Sequence, residues 1–105
     1  MSGVFHRPRE WRIDEAKRAL VVSWDDGAES THPWEELRRQ CPCAYCAGEG
    51  GMTGAVNEAT RFTELQVTLK VIYPVGRYGI TPEWGDGHDT GIQTFARLRT
   101  AAGLA

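Results

Sequence analysis

The sequence predicts a two-layer α+β domain in which antiparallel strands pack with two short helices. Three observations lead to this class: short stretches that alternate between apolar and polar residues, two Asp-Gly turns that follow such stretches, and two short segments with helix boundary signals. A few antiparallel strands with two helices on one face make a two-layer arrangement. At 105 residues we expect a single domain, residues 1–105, with a core spanning about 11–100.

The chain contains an internal repeat. Segments 24–30 and 84–90 share the pattern Trp-x-Asp-Gly, and segments 34–38 and 95–99 both have an aromatic residue followed three positions later by Leu-Arg. We interpret the two matches as a duplication, because their spacings of 60 and 61 positions are nearly equal. Each copy is predicted to form a strand, a turn, a short extended piece and a short helix.

The individual elements have their own signals. The predicted strands span 11–14, 19–24, 65–73 and 78–84, and the predicted helices span 33–40 and about 94–102. The stretch 65–73 is the clearest strand because its odd positions are apolar and its even positions are polar as far as Ile72. Pro33 suits an early helical position, and Gly103 suits the residue after a helix. Residues 47–60 are rich in Gly, Thr, Glu and Asn, so we expect a mobile loop there.

Charge and hydropathy exclude several classes. The net charge of -2 disfavours a general nucleic-acid binder, which would carry a basic face. No run approaches the roughly 18 apolar residues of a membrane-spanning helix. Residues 1–8 lack the apolar core of a secretory signal, so we expect a free-standing cytoplasmic protein. Thiols stay reduced there, and clustered cysteines more often bind metal than form disulfides.

The three cysteines, Cys41, Cys43 and Cys46, lie within six residues of one another. We expect Cys41 at the end of the first helix, because Pro42 cannot continue that helix. The Cys-x-x-Cys spacing of the other two lets both sulfurs reach one ion. Three thiolates and one imidazole complete a tetrahedral set for Zn²⁺, whereas Mg²⁺ and Ca²⁺ prefer oxygen. The cluster therefore predicts one zinc ion per chain.

Other interpretations of the cysteines stay open. The thiols could be small buried groups in the connection after the helix. Cys43 and Cys46 could form a redox pair, although a thioredoxin-like context is missing. Three cysteines and a histidine can also hold an iron–sulfur cluster, which the sequence favours less than zinc.

Three histidines are candidates for the fourth ligand: His6, His32 and His88. His6 lies in a terminus that we expect to be frayed, with a solvated side chain. A predicted helix of about eight residues would place His32 roughly 12 Å from Cys41. His88 follows the second Asp-Gly turn, where it would join the second half of the chain to the thiolates of the first. The repeat therefore favours His88 over His32.

These residues resemble the gamma-butyrobetaine hydroxylase-like N-terminal domain family over nearly the whole chain. The resemblance rests on both Trp-x-Asp-Gly blocks, the Cys-Pro-Cys-Ala-x-Cys cluster, the Pro-Val-Gly segment and the Asp-Gly-His turn. Family members are small α+β domains, and those with the cysteines bind one zinc ion through three cysteines and the histidine of that turn. The resemblance implies the ligands Cys41, Cys43, Cys46 and His88.

The resemblance does not imply an oxygenase activity. In the hydroxylase, a separate domain holds iron with two histidines and a carboxylate, and no histidine follows His88 here. Four protein ligands would also leave zinc no open position for a substrate. Glu83, Asp86 and Asp89 are expected to form the turn or to be solvated.

We therefore expect that the protein is not an enzyme. We expect a structural or protein-interaction module with an unidentified protein partner. The alternatives are accessory roles in iron–sulfur cluster handling or beside a 2-oxoglutarate-dependent oxygenase.

Two further sets of side chains have predictable positions. Arg38 and Arg99 occupy matching places in the repeat, where they could pair with Asp26 and Asp86 of the turns or could be exposed. The aromatic residues are expected to pack in the core. They are Trp24, Trp34, Trp84, Tyr73, Tyr78 and Phe95.

Overall fold

Two antiparallel sheets and two helices make up residues 6–42 and 60–104, the part of the chain that this computed structural model describes. The strands are β1 (Pro8–Asp14), β2 (Ala19–Trp24), β3 (Glu29–Pro33), β4 (Leu69–Val75), β5 (Gly79–Trp84) and β6 (Gln93–Thr94), and the helices are α1 (Trp34–Arg39) and α2 (Phe95–Ala101). The first three strands form one sheet and the last three form the other, in chain order. The predicted α+β class is confirmed, and the division of the strands into two sheets is new.

β2 lies at the centre of the first sheet. β1 and β3 both pair with it, and its residues 19–22 are all buried. The hairpin turn before β2 is stabilised by Asp14, whose Oδ1 accepts a hydrogen bond from the N–H of Lys17 at 3.0 Å. β1 begins at Pro8, three residues before the predicted start at Trp11.

The second sheet begins later than predicted. Residues Leu65–Val67 form a 3₁₀ turn rather than the first part of a strand, and β4 starts at Leu69. The cause is local. The N–H of Thr63 donates to Gln66 Oε1 at 2.8 Å, and the N–H of Gln66 donates to Thr63 Oγ1 at 3.4 Å. These side-chain bonds offer the backbone an alternative to strand pairing.

A β-bulge at Lys70 reverses the alternation of β4. Leu69 and Val71 lie opposite consecutive residues of β5, so Lys70 has no position opposite it. Beyond the bulge, the apolar odd positions Val71 and Tyr73 are exposed, and Ile72 packs against the core instead.

Both halves of the chain contribute to one core. Its buried members are Leu20, Val22, Trp24, Trp34, Leu37, Leu69, Ile80, Trp84, Phe95 and Leu98. Trp24 of β2 meets Phe95 of α2 edge to face, with 6.0 Å between ring centroids. The core prediction is thus confirmed for the three tryptophans named above and for Phe95. It is wrong for Tyr73 and Tyr78, which are exposed.

The helices begin and end within one residue of the predicted 33–40 and 94–102. Thr94 caps α2, because its Oγ1 accepts a hydrogen bond from the N–H of Arg97 at 3.1 Å. α1 ends at Arg39, and Cys41 follows two residues later.

Candidate metal centre

The two Asp-Gly turns have the same backbone conformation. The N–H of Gly27 donates to the carbonyl of Trp24 at 3.1 Å, and the N–H of Gly87 donates to the carbonyl of Trp84 at 2.9 Å. Both glycines have a positive φ, 88° and 89°, which costs glycine no steric strain. The predicted turns are confirmed, whereas their origin by duplication stays a prediction.

An aspartate side chain closes each turn. Asp26 Oδ1 accepts a hydrogen bond from the N–H of Ala28 at 3.1 Å, and Asp86 Oδ1 accepts one from the N–H of His88 at 3.2 Å. The backbone N–H of Trp24 donates to the carbonyl of Ala28 at 2.8 Å, and that of Trp84 donates to the carbonyl of His88 at 3.0 Å. The backbone of His88 is therefore held at both its N–H and its carbonyl.

Each helix arginine binds the turn of the other half. Arg38 of α1 donates to both carboxylate oxygens of Asp86, at 3.1 and 3.2 Å. Arg99 of α2 donates to both oxygens of Asp26, at 3.3 and 2.8 Å. The arginine side chains are 5% and 7% exposed, and two-pronged pairs of this kind fix geometry as well as charge. Of the two options that the sequence leaves open, pairing is the one found.

These contacts lower the pKa of both carboxyl groups. The hydrogen bond from Arg99, together with the turn's own N–H, lowers the pKa of Asp26 from 3.8 to about 2. Burial alone would raise the pKa of Asp86, but hydrogen bonds from Arg38 and from the turn N–H outweigh it, and the pKa falls below 3.8. Both carboxylates are therefore ionised at neutral pH.

Cys41 and His88 meet where the end of α1 faces the second turn. The N–H of Cys41 donates to the carbonyl of Arg38 at 3.1 Å, which extends α1 by one hydrogen bond. Cys41 is buried, and its Sγ lies 3.3 Å from His88 Nε2. The structure thus brings two of the four predicted ligands together.

Gly91 makes room for the sulfur. A Cβ built on Gly91 would overlap Cys41 Sγ and would lie 3.3 Å from Cδ of Pro42. A side chain at this position would displace the thiol. In the sequence Gly91 is visible only as part of the family motif around the Asp-Gly-His turn, and the sequence assigns it no role.

The imidazole of His88 is held in its neutral form. Burial and the positive charge of Arg38 lower its pKa below 6.5, and the opposing charges of Asp86 and Asp89 are weaker. Neutral imidazole is the form that coordinates metal.

The Cys41–His88 pair fits a tetrahedral zinc site. Zn–S and Zn–N bonds of about 2.3 and 2.1 Å at a tetrahedral angle separate the two atoms by about 3.6 Å, close to the 3.3 Å found. A thiol–imidazole hydrogen bond would also have this length, so the donor set rather than the distance points to a metal. Cys43 and Cys46 lie outside the described residues, as does the predicted loop 47–60 apart from Thr60.

His32 is a core residue with a partner in the protein. It is buried in β3, and its Nε2 lies 2.8 Å from Ser30 Oγ. That oxygen also accepts a hydrogen bond from Trp24 Nε1 at 2.8 Å. Burial lowers the pKa of His32. These bonds account for His32 without a metal.

His6 is held by the first turn rather than frayed. Its Nδ1 lies 3.0 Å from Asp25 Oδ1, and the N–H of Arg7 donates to Asp25 Oδ2 at 3.1 Å. In residues 6–42 and 60–104, one group of three possible metal ligands has its ligand atoms close enough together to share an ion. It consists of His6, Asp25 and Asp26. The Asp26 carboxylate is already occupied by Arg99, so we assign no metal there.

Fold and site together define a small two-sheet α+β domain in which a buried cysteine meets a half-buried histidine between the two halves. The family model described as gamma-butyrobetaine hydroxylase-like, N-terminal, matches residues 11–99. The chain belongs to this family, as the sequence motifs indicated. Comparison with curated proteins gives no match. No helix in the described part of the chain is long and apolar enough to cross a membrane.

Similar folds occur among solved structures. The crystal structure of a protein of unknown function from Acidithiobacillus ferrooxidans, of the DUF971 family, is 31% identical, with a TM-score of 0.63 and 90% of each chain covered. Two proteins solved by NMR in solution are 27% and 26% identical, with TM-scores of 0.74 and 0.66. The alignments cover 94% and 93% of this chain and 70% and 73% of theirs. These likenesses support the fold and name no activity.

Proposed function

We propose that this protein is a small zinc-binding domain that acts as a non-catalytic structural or protein-interaction module. One observation carries the proposal: the buried Sγ of Cys41 lies 3.3 Å from Nε2 of His88, and Cys43 and Cys46 follow directly in the sequence. A set of three thiolates and one imidazole is typical of a closed structural zinc site.

The position of the pair indicates what such a site would do. Cys41 follows α1 of the first half, and His88 belongs to the second turn. Bound Zn²⁺ would cross-link these two segments, and its binding free energy would add to the stability of the fold.

The available side chains argue against catalysis. Catalytic zinc sites use three protein ligands and leave one position open, whereas four ligands are proposed here. An oxygenase iron site needs two histidines and a carboxylate. His32 is bound to Ser30, and the one ligating cluster found in the described residues contains a single histidine.

The role in protein contacts is supported by exposed side chains on the second sheet. Val71 and Tyr73 lie on β4, an edge strand whose single partner among the described residues is β5. We place the protein in the cytoplasm, where its thiols stay reduced, and expect no nucleic-acid partner given its net charge of -2.

A pull-down tests the proposed contact surface on β4. The Val71→Glu variant should lose any partner that the wild type captures, whereas Lys70→Glu on the same strand should keep it.

Metal analysis tests the zinc site. Protein purified without added metal should contain about one Zn²⁺ per chain, and the Cys43→Ser, Cys46→Ser double variant should lose the metal and melt at a lower temperature. Full zinc content in the double variant would contradict the proposal. A coloured protein with iron and sulfide in place of zinc would favour the iron–sulfur alternative.

Paired histidine variants test the fourth ligand. His88→Ala and His32→Ala should both lower the melting temperature, because His32 makes a buried contact with Ser30 and His88 makes a half-buried contact with Cys41. Zinc content should fall in His88→Ala alone. Loss of zinc in His32→Ala instead would contradict the assignment of His88.

A turnover assay tests the absence of catalysis. The isolated chain given Fe(II), 2-oxoglutarate and candidate substrates should release no succinate above background. Succinate release that disappears in His88→Ala would show an open, catalytic site.

A further inference from the structure

Arg38 touches both segments that carry the proposed ligands. Its carbonyl accepts the hydrogen bond from the N–H of Cys41 at 3.1 Å. Its guanidinium binds Asp86 of the second turn at 3.1 and 3.2 Å. A single residue therefore spans the gap between the end of α1 and the turn of His88.

Asp86 links the guanidinium of Arg38 to the backbone of His88. The Oδ1 atom that accepts from Arg38 also accepts the N–H of His88, at 3.2 Å. If the carboxylate moved, the hydrogen bond that orients the His88 backbone would be lost. Asp86 is thus the connection between the arginine and the imidazole.

The guanidinium of Arg38 is confined. Its side chain is 5% exposed, its Nη1 also donates to the carbonyl of Gln66 at 3.0 Å, and its Cζ lies 5.7 Å from the centroid of Trp84. Its Nε has no acceptor in the described residues. The orientation of the guanidinium is set by its hydrogen bonds to Asp86 and Gln66.

The other half contains the same contacts without the ligands. Arg99 binds Asp26 at 3.3 and 2.8 Å, and its Cζ lies 5.1 Å from the centroid of Trp24. The residue held by that turn is Ala28. The residue whose N–H donates to the Arg99 carbonyl at 3.1 Å is Ala102. Neither alanine has a side chain that can bind metal.

We propose that Arg38 is a positioning residue for the metal site. By holding Asp86 against the end of α1, it sets the separation of Cys41 and His88 before any metal binds. This inference rests on the zinc-binding function proposed above. Arg99 makes the equivalent contact at the junction without ligands, where it can stabilise only the fold. Comparing the two arginines therefore distinguishes stabilisation of the fold from positioning of the metal ligands.

The matched pair Arg38→Lys and Arg99→Lys tests the inference, because lysine keeps the charge and loses the two-pronged geometry. Zn²⁺ affinity would be measured by competition with a chromophoric chelator, and tetrahedral coordination by the absorption spectrum of bound Co²⁺. The stability of the metal-free protein would be measured by urea unfolding. Both variants should lose stability, but only Arg38→Lys should weaken Zn²⁺ binding, by about 10- to 100-fold.

A second pair, Asp86→Asn and Asp26→Asn, serves if an arginine variant does not fold. Asparagine keeps one acceptor for the turn N–H and removes the charge, and only Asp86→Asn should weaken Zn²⁺ binding. Equal Zn²⁺ affinity within either pair would overturn the positioning role while leaving the zinc site intact. A wild-type protein that binds no Zn²⁺ would overturn the proposed function itself, and the inference with it.

Discussion

The first and second Asp-Gly turns share a framework and differ at two positions, where Asp25 and Ala28 of the first turn correspond to Gly85 and His88 of the second. Both have a buried tryptophan before the turn, a glycine with positive φ and an aspartate bound by an arginine from the opposite helix. Ala28 ends the first turn and His88 ends the second. The shared residues therefore belong to the framework of the fold, and of the two differences it is the one between Ala28 and His88 that marks the candidate metal centre.

The helix ends repeat this contrast. The N–H of Cys41 and the N–H of Ala102 both donate at 3.1 Å to the carbonyl of the arginine three residues earlier. A thiol is present after α1 and absent after α2. Arginine and aspartate at each junction thus belong to the framework, and a metal-binding side chain occurs on both sides of only one junction.

Removing either turn tryptophan should have the largest effect on stability. Trp24 and Trp84 are 1% and 2% exposed, and replacing a buried tryptophan with alanine costs about 3–5 kcal/mol. Trp24→Ala should cost more, because it also removes the indole N–H that binds Ser30. Urea unfolding of the metal-free protein measures both. A cost below about 1 kcal/mol for either variant would contradict the equivalence of the two frameworks.

Gly91→Ala should have the next largest effect. Its Cβ would overlap Cys41 Sγ, and overpacking of this kind costs about 1–3 kcal/mol. The Cys41→Ala change removes the sulfur, so the double variant should be more stable than the sum of the single effects predicts. Additive effects in a double-mutant cycle would show that Gly91 does not accommodate the sulfur.

Much of the fold could be predicted because local sequence determines it. The buried strand 19–24 and both helices have patterns that depend on neighbouring residues, and the structure agrees within one residue. The 3₁₀ turn at Leu65–Val67 was missed because Thr63 and Gln66 exchange hydrogen bonds there, which apolar alternation does not reveal. The bulge at Lys70 was missed because it depends on how β4 pairs with β5.

The candidate site was predictable in its ligand types and not in its supports. A cysteine cluster and an Asp-Gly-His turn are visible in the sequence, so Cys41 and His88 were both named. The crossed pairing of Arg38 with Asp86 depends on how the two halves pack, and the sequence left it open against exposure. Gly91 was missed because its role comes from a contact with a residue 50 positions earlier.

Acid should weaken both turns in the same pH range. The pKa of Asp26 is lowered to about 2 and that of Asp86 is also lowered, so the folded state binds these protons less readily than the unfolded state does. Their stabilisation is fully present above about pH 4 and is lost as the pH falls toward about 2. Asp26→Asn should remove part of the stability difference between pH 7 and about pH 3, measured by urea unfolding of the metal-free protein.

The buried histidine of the first sheet does not disturb this comparison. Neutral, buried His32 also destabilises the fold in acid, beginning below about pH 6.5. It does so in the wild type and in Asp26→Asn alike, so the difference between the two proteins reports on Asp26 together with its contact to His6, whose Nδ1 lies 3.9 Å from Asp26 Oδ2. An unchanged pH dependence in Asp26→Asn would mean that Arg99 does not hold Asp26 in solution.

Moving the imidazole to the first turn should have the smallest effect, because it should leave the Zn²⁺ affinity at the level of the His88→Ala variant. In an Ala28→His, His88→Ala variant, the first turn would hold histidine through the hydrogen bonds that now hold Ala28. Across the junction, however, lies Ala102 rather than a cysteine. The variant should therefore bind Zn²⁺ no better than His88→Ala alone, as measured by chelator competition. Recovery of wild-type affinity would show that the site does not depend on the junction between α1 and the second turn. Adding Ala102→Cys would supply a thiol beside the new histidine but only two ligands, so we expect weaker binding than in the wild type, because a structural zinc site needs four.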